Sequence, residues 1–213
     1  MESEKVTKTG TTTLGIVCKD GVVVATETRA TMGHLIAHKE TKKLYKIDDH
    51  LALCTAGLVG DLQVLSRYLT AEANLYRLKR DTKMPVQSAA TLMLNIMNQR
   101  KFMPYYVQLV LAGFDNDGGH VYSLDAAGGS IPDKYTSGGS GSPFVFGVLE
   151  DHYRDNLSIE EGVDLAIRAI YSAKSRDSAS GGMTNVAVIT KDGFKRIPQD
   201  EVYERLEKIR NKD

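Results

Sequence analysis

A run of threonines near the amino terminus is the first stretch whose residue types could do chemistry: Thr11, Thr12 and Thr13 follow Gly10. A threonine hydroxyl becomes a nucleophile when a base takes its proton, and the α-amine of a chain that begins with that threonine is such a base. That amine exists only after cleavage behind Gly10, where the missing Cβ relieves crowding at the bond. Branched threonines also suit the start of a β-strand, and the stretch alone favours this structural alternative.

A lysine and a glutamate on two predicted strands form the next candidate pair. In "TKKLYKI", strand alternation puts Lys43 on one face with Tyr45 and Ile47. A lysine on a mostly apolar face needs either water or an anionic partner. Glu27, which shares a face with Arg29 in "ATETRAT", is the candidate partner. Spacing alone favours a structural ion pair, and the catalytic alternative is a charged lysine that lowers the pKa of a neighbouring group.

The segment "TAGLVGD" joins a predicted strand to a predicted helix at Gly57. Backbone N–H groups at a helix start are unpaired and favour negative charge. A glycine there lets a substrate carbonyl approach the backbone closely. An oxyanion hole and a plain strand-to-helix turn are both compatible with this segment.

Several common kinds of site are excluded by their missing motifs. The sequence has no phosphate-binding loop, no G-x-G-x-x-G, no G-x-S-x-G, no H-E-x-x-H and no C-x-x-C. His34 and His38 stand four residues apart in a segment with poor helical character, which favours two surface imidazoles over a zinc pair. We therefore expect no metal and no cofactor, and an enzyme built on this chain must activate its nucleophile without a histidine base.

Composition points to an ordinary globular protein of one large domain. The 213 residues carry 27 basic and 27 acidic side chains, so a nucleic-acid partner is not expected. No apolar run approaches the roughly 20 residues of a spanning helix, and the polar first ten residues do not resemble a secretory signal. Cys18 and Cys54 lie in apolar segments, as buried thiols do in a reducing compartment. The cytoplasm is the expected location.

The elements that must position these residues follow from hydrophobic periodicity. Helices are predicted from Leu62, from Val86 after Pro85, from the capping box of Ser158, and around Val202. Strands are predicted over residues 11–18, 22–27, 42–47, 50–56, 105–114, 120–128 and 185–190. This order predicts an α+β fold in a single domain, with two helical layers enclosing two sheets.

Six segments in a fixed order resemble a known family. They are "TGTTTLG", "ATETRATMG", "TKKLYKI", "TAGLVGD", "GGSGSPF" and "RDSASGG". Together they are similar to the signature segments of proteasome β subunits of the archaeal type, over nearly the whole chain. The resemblance implies the four-layer αββα sandwich of N-terminal-nucleophile hydrolases, a class of threonine proteases.

The resemblance also implies a role for particular residues. Residues 1–10 are then a propeptide removed autocatalytically by cleavage between Gly10 and Thr11, and residues 11–213 form the catalytic domain. Thr11 matches the nucleophile and Lys43 the essential lysine. Glu27 matches the residue that holds this lysine, a position where many members carry aspartate, and Arg29 matches a supporting arginine of the same strand. Gly57 matches the glycine whose N–H stabilises the oxyanion. The residues that match the group orienting the threonine amine are Ser140, Asp177 and Ser180.

Substrate, partners and specificity are implied in the same way. The expected substrate is unfolded polypeptide, and the expected partners are a seven-membered β ring, a second β ring, α subunits and, indirectly, a regulatory ATPase. The pocket for the residue before the cleaved bond is expected to be lined by Ala30, Thr31, Thr41, Tyr45, Thr55, Val59 and Gln63. Because several of these are small or apolar, large apolar substrate residues should be preferred.

Three alternatives compete with this interpretation. A non-catalytic ring subunit of the same fold would not need Thr11, Lys43 and Glu27 together. A small-molecule amidase with an N-terminal nucleophile would share the chemistry but would not explain the ordered segments. A nucleotide-binding module could use the glycine-rich loops, but the phosphate-loop lysine is missing.

Overall fold

The structure is a computed structural model that describes residues 10–211. Residues 1–9 of the expected propeptide and the last two residues therefore lie outside the described residues. The strands are β1 (Thr13–Cys18), β2 (Gly21–Glu27), β3 (Ala30–Met32), β4 (Leu35–His38), β5 (Leu44–Asp48), β6 (Leu51–Gly57), β7 (Val107–Asp115), β8 (Gly118–Leu124), β9 (Ser130–Asp133), β10 (Tyr135–Gly138), β11 (Thr184–Thr190) and β12 (Gly193–Arg196). The helices are α1 (Val59–Arg80), α2 (Val86–Asn98), α3 (Ser142–His152), α4 (Ile159–Arg176) and α5 (Gln199–Arg210).

Two antiparallel five-stranded sheets form the centre of the fold. Their strand orders are β10-β1-β2-β11-β12 and β5-β6-β7-β8-β9, and β3 pairs with β4 in a separate hairpin. One apolar cluster lies between the two sheets, a second packs α1 and α2 on the outer face of one sheet, and a third packs α3, α4 and α5 on the other. The predicted four-layer αββα sandwich is confirmed.

Strand β2 lies in the centre of its sheet and places the Glu27 side chain at a buried position. All seven of its residues are buried, since the strand pairs with β1 on one side and β11 on the other. Val22 and Val24 pack between the sheets, while Val23 and Ala25 pack towards the helices. Glu27, the last residue of the strand, is thereby carried into the interior of the protein.

The structure differs from the sequence-based elements in four places that bear on the site. The strand predicted from residue 11 begins at Thr13, and the strand predicted over 120–128 ends at Leu124, because Asp125 accepts backbone hydrogen bonds in the turn that follows. Helix α3 begins at the end of the glycine- and serine-rich region of residues 128–143, a position to which no helix was assigned. The β3–β4 hairpin was also missed, because all four residues of β4 are exposed and show no alternation.

Helix α4 begins as the sequence predicts. The Ser158 hydroxyl accepts the Glu161 N–H and the Glu161 carboxylate accepts the Ser158 N–H, which completes a capping box. None of the helices among residues 10–211 is both long and apolar enough to cross a membrane.

The two cysteines give a first testable prediction. Both are free and buried, and burial raises the pKa of the Cys18 thiol to about 12 and that of Cys54 further. Since the thiolate is the reactive form, we expect neither to be alkylated by iodoacetamide at about pH 8 in the folded protein. Intact mass should show no added label in buffer and two labels in guanidinium chloride. Rapid labelling of the folded protein would contradict this prediction.

Candidate active site

Thr11 lies just before β1 and is almost completely buried, with 4% of its surface exposed. Its Oγ1 donates a hydrogen bond to the Gly10 carbonyl at 2.6 Å. Its backbone N–H donates to the Ser140 hydroxyl at 3.2 Å. The hydroxyl and the nitrogen of one residue are therefore each held at a defined position.

Lys43 and Glu27 form a buried ion pair beside this threonine. The lysine Nζ contacts Glu27 Oε1 and also donates to the Arg29 carbonyl. The Glu27 carboxylate accepts three backbone N–H groups as well, from Thr12 at 3.1 Å, Arg29 at 2.6 Å and Gly181 at 3.0 Å. A buried charge is tolerated when it is paired and hydrogen-bonded, and Glu27 meets both conditions.

Burial and the neighbouring charges shift the pKa of Lys43 in opposite directions. Burial lowers its pKa from the ordinary value, and the neighbouring Arg29 lowers it further. The negative charges of Glu27 and Asp177 raise the pKa and partly offset that effect. Because burial is the largest contribution, the pKa of Lys43 lies below that of a free lysine, so its proton is held less tightly.

Arg29 fixes the loop that follows α4. Its guanidinium donates to the Ser178 carbonyl at 3.3 Å. It also lies so close to Gly181 that a Cβ on that glycine would be 2.2 Å from the Arg29 Cζ. The arginine therefore holds the backbone of this loop against the end of β2, where Gly181 donates to Glu27.

Asp177 organises a second hydrogen-bonded group on the other side of the threonine. Its Oδ2 accepts hydrogen bonds from the hydroxyls of Ser140 and Ser180, each at 2.6 Å. Because each serine hydroxyl donates its hydrogen bond to the carboxylate, the serine oxygen remains free to accept a hydrogen bond from another group. Ser140 accepts from the Thr11 nitrogen at 3.2 Å, and the Ser180 oxygen lies 2.6 Å from the Thr12 hydroxyl.

Two glycines permit close approaches that a side chain would prevent. Gly139 has φ of +93°, and a Cβ there would lie 2.0 Å from the Thr11 carbonyl oxygen. Gly57 has φ of +129°, and a Cβ there would lie 2.1 Å from the Tyr106 carbonyl oxygen. Sequence reasoning did not single out Gly139, although the glycine- and serine-rich composition of its segment was visible.

A largely apolar cavity of about 450 Å³ opens beside Thr11. Of the predicted substrate-binding residues, the structure places Ala30, Thr31, Thr41 and Val59 in its wall. Sequence reasoning missed further lining residues from the hairpin, the start of α1 and the loop before β7: Met32, Ala37, His38, Leu58, Leu62 and Tyr106.

Three predicted substrate-binding residues lie elsewhere. Tyr45 and Gln63 line a separate cavity on the α1 side of β5, and neither borders the cavity of Thr11. Thr55 is fully buried in β6, where its hydroxyl donates to the Lys43 carbonyl at 3.3 Å. Thr55 therefore supports the backbone of Lys43 and does not face the cavity.

The remaining predicted residues converge on the threonine. Gly10, Lys43 and Gly57 line the same cavity as Thr11, and Ser140 and Asp177 lie on its amine side. Across residues 10–211, no group of three or more His, Cys, Asp or Glu residues is arranged to hold a metal ion. The site thus combines the Thr11 hydroxyl, a buried lysine–glutamate pair and a serine–aspartate group that contacts the Thr11 nitrogen.

The family model and the similar proteins all describe proteasome subunits. The family model described as "Proteasome subunit" matches residues 7–189. A "Proteasome subunit beta" from Thermoplasma acidophilum is 56% identical over 203 residues, which cover 95% of this chain and 96% of that protein. Proteins of the same description from Picrophilus torridus and Methanothermobacter thermautotrophicus are 52% and 51% identical, with at least 97% of this chain covered in each case.

Proposed function

Because this chain belongs to the proteasome subunit family, we propose that Thr11 is the nucleophile of a proteasome β subunit and that the residues around it carry out peptide hydrolysis. The chain is a catalytic β subunit of the 20S proteasome core, a threonine peptidase, and it assembles with α subunits into the rings of that core. The observation that supports the assignment of the nucleophile is that Thr11, whose nitrogen donates to Ser140, lines one largely apolar cavity together with Lys43.

Hydrolysis begins with a Thr11 that carries a free α-amine. An unperturbed α-amine has a pKa of about 8, so a useful fraction is unprotonated near neutral pH. The amine takes the hydroxyl proton, directly or through water, as Oγ1 attacks the peptide carbonyl. It then gives that proton to the leaving nitrogen as the C–N bond breaks, and water hydrolyses the ester left on Thr11.

The neighbouring residues each contribute one effect. The positive charge of Lys43 stabilises the developing negative charge on Oγ1 and keeps the pKa of the amine low. Glu27 holds that lysine, and Arg29 holds the loop that contacts Glu27. Ser140, oriented by Asp177, accepts an N–H of the amine and aims its lone pair at the hydroxyl. The Gly57 N–H stabilises the tetrahedral oxyanion.

Self-cleavage uses the same hydroxyl on the bond that precedes it. Thr11 Oγ1 attacks the Gly10 carbonyl carbon, an ester bond forms, the C–N bond breaks and the nitrogen becomes the amine. Water then hydrolyses the ester and releases residues 1–10, which leaves 11–213 as the catalytic domain. No free amine exists before this step, so a water molecule serves as the base.

Gly10 gives a second testable prediction. A Cβ at this position would lie 1.8 Å from the Ala179 Cβ. Gly10→Val should therefore displace the Gly10–Thr11 peptide bond from the position in which it is cleaved. We expect self-cleavage to slow by at least about tenfold, since a misplacement of about 1 Å can cost more than that. Intact mass against time after assembly measures it. Gly60→Ala, where an added Cβ meets nothing within 4 Å, is the matched control. Processing of Gly10→Val at the parental rate would contradict the prediction.

The apolar cavity gives a third testable prediction. Its wall contains Ala30, Met32, Val59 and Leu62, which can bury an apolar side chain. Full burial of such a side chain contributes about 1.5–3 kcal/mol, so cleavage after leucine or tyrosine should exceed cleavage after glutamate by at least about tenfold. Matched fluorogenic peptides that differ only at the residue before the cleaved bond measure the ratio. Cleavage confined to acidic or basic sites would reject this specificity.

The wider assembly completes the proposal. Seven copies form a ring that stacks on a second β ring between rings of α subunits, and the sites then face a closed chamber in the cytoplasm. Unfolded polypeptide, delivered by a regulatory ATPase, is the substrate. The direct test is amino-terminal sequencing of the assembled particle. A chain that starts with Thr11 supports the proposal, and one that still starts with Met1 after assembly would overturn it in favour of a non-catalytic subunit.

A further inference from the structure

Thr28 is a buried residue without a role in the proposed mechanism. It lies between β2 and β3, directly between Glu27 and Arg29, which both contact the Lys43 ammonium group. Only 2% of its surface is exposed, and it is not among the described residues that line the cavity beside Thr11. A buried hydroxyl is normally hydrogen-bonded, so its partners show what it holds in place.

The Thr28 hydroxyl makes two hydrogen bonds whose directions are fixed by their partners. It donates to the Lys39 carbonyl at 3.0 Å and accepts the Met183 N–H at 2.9 Å. A carbonyl can only accept and a backbone N–H can only donate, so the hydroxyl has one defined orientation. One side chain therefore joins the segment that follows the β3–β4 hairpin to the loop that precedes β11.

The backbone of Thr28 joins the same two segments. Its carbonyl accepts the Thr41 N–H at 2.8 Å, and its N–H donates to the Gly181 carbonyl at 3.2 Å. Residues 39–41 lead directly to the lysine of the buried ion pair, and Gly181 donates its own N–H to the glutamate of that pair. Thr28 thus contacts both segments on which the position of the ion pair depends.

Gly182 shows how closely the loop approaches this hydroxyl. Its φ is +75°, and a Cβ there would lie 2.4 Å from Thr28 Oγ1 and 2.8 Å from the Lys39 carbonyl oxygen. Residues with a Cβ rarely adopt that backbone conformation, and glycine also leaves the space that the two oxygens occupy. The loop therefore passes within hydrogen-bond reach of Thr28 at a position where glycine is required.

We propose that Thr28 is a positioning residue for the reaction, and that its hydroxyl keeps Lys43 and the loop of residues 177–183 in a fixed relation to Thr11. This inference rests on the proposed function, because it needs Thr11 as the nucleophile. Thr28 touches no reacting atom and acts only through the two segments that it joins.

Thr28→Val in the assembled particle tests this role, because valine keeps the branched shape and loses both side-chain hydrogen bonds. We expect kcat for a fluorogenic peptide to fall by about tenfold, since a misplacement of about 1 Å can cost that much or more. KM should change by less than about twofold, because Thr28 contributes nothing to the cavity wall. Self-cleavage, which needs no bound substrate, should slow by about tenfold as well.

Three further variants accompany this measurement. Thr28→Ser restores the hydroxyl and should recover most of the parental kcat. Thr70→Val is the matched control, because the half-buried Thr70 also donates to a carbonyl, that of Ser66 at 2.8 Å within α1, and it should leave kcat unchanged. Thr28→Ala removes the hydroxyl with a smaller side chain, and it should show the same loss of kcat if the valine variant does not assemble.

Four outcomes would overturn the inference. They are a parental kcat in Thr28→Val, a loss confined to KM, a Thr28→Ser particle as slow as Thr28→Val, and failure of both the valine and the alanine variants to assemble while Thr28→Ser assembles. The last outcome would make Thr28 a purely structural residue. Failure of the proposed function gives a different result, because the parent particle itself would then release no fluorophore.

Discussion

Thr11→Ala is expected to abolish peptide hydrolysis and to leave residues 1–10 attached to the chain. Both reactions need the same Oγ1, and alanine has no atom that can replace it. Loss of a nucleophile typically reduces kcat by roughly 10⁴-fold or more, so residual activity should fall below detection in a fluorogenic assay. Intact mass and amino-terminal sequencing of the assembled particle measure the self-cleavage directly.

Two controls separate this chemistry from damage to the fold. Thr11→Ser keeps a hydroxyl and an amine, and it should still cleave itself and hydrolyse peptides. Thr13→Val keeps the branched shape in β1 and removes only the hydrogen bond to the Gly138 carbonyl, so it should remain processed and active. A Thr11→Ala chain that loses residues 1–10 within the assembled particle would show that another group cuts the bond.

Lys43→Met is expected to have the second largest effect, because it removes one partner of a buried ion pair. Glu27 is completely buried, and without the lysine its charge is uncompensated. Breaking such a pair commonly costs about 3–5 kcal/mol of stability, and the charge that assists the Thr11 hydroxyl is lost as well. We expect a lower unfolding temperature, no self-cleavage and no hydrolysis.

A double substitution distinguishes the structural part of this effect from the catalytic part. Lys43→Met combined with Glu27→Gln removes both charges and should regain part of the lost stability, since no unpaired ion remains. Activity should stay absent, because the cation near Thr11 is still missing. A double variant that regains both stability and self-cleavage would reduce the pair to a structural ion pair, which is the alternative that spacing alone favoured.

The parts of the site that lie on regular strands could be predicted from the sequence. Glu27 ends a strand whose residues are all buried, and Lys43, which directly precedes β5, is buried with it, as expected for a lysine that needs an anionic partner. The ordered segments then directed attention to Ser140 and Asp177, which the structure brings within hydrogen-bond reach of each other. Periodicity is a property of neighbouring residues, so it can be read from the sequence.

The cavity wall could not be predicted in the same way. Met32 and His38 come from a hairpin with little burial, so no hydrophobic pattern marks its strands. Thr55 was expected in the wall, but its position in β6 turns its hydroxyl towards the Lys43 carbonyl. The positive φ of Gly139 depends on the close approach of the Thr11 carbonyl, a contact between residues far apart in sequence.

The contacts of Glu27 also decide when during its own synthesis this protein can become a protease. The Glu27 carboxylate contacts Thr12, Lys43 and Gly181, and the ribosome adds Gly181 to the chain long after Thr12. A nascent chain that has not yet extended beyond Gly181 has the threonine and the lysine but cannot complete the group that holds them. The group that holds Lys43 beside Thr11 can therefore be completed only late in translation.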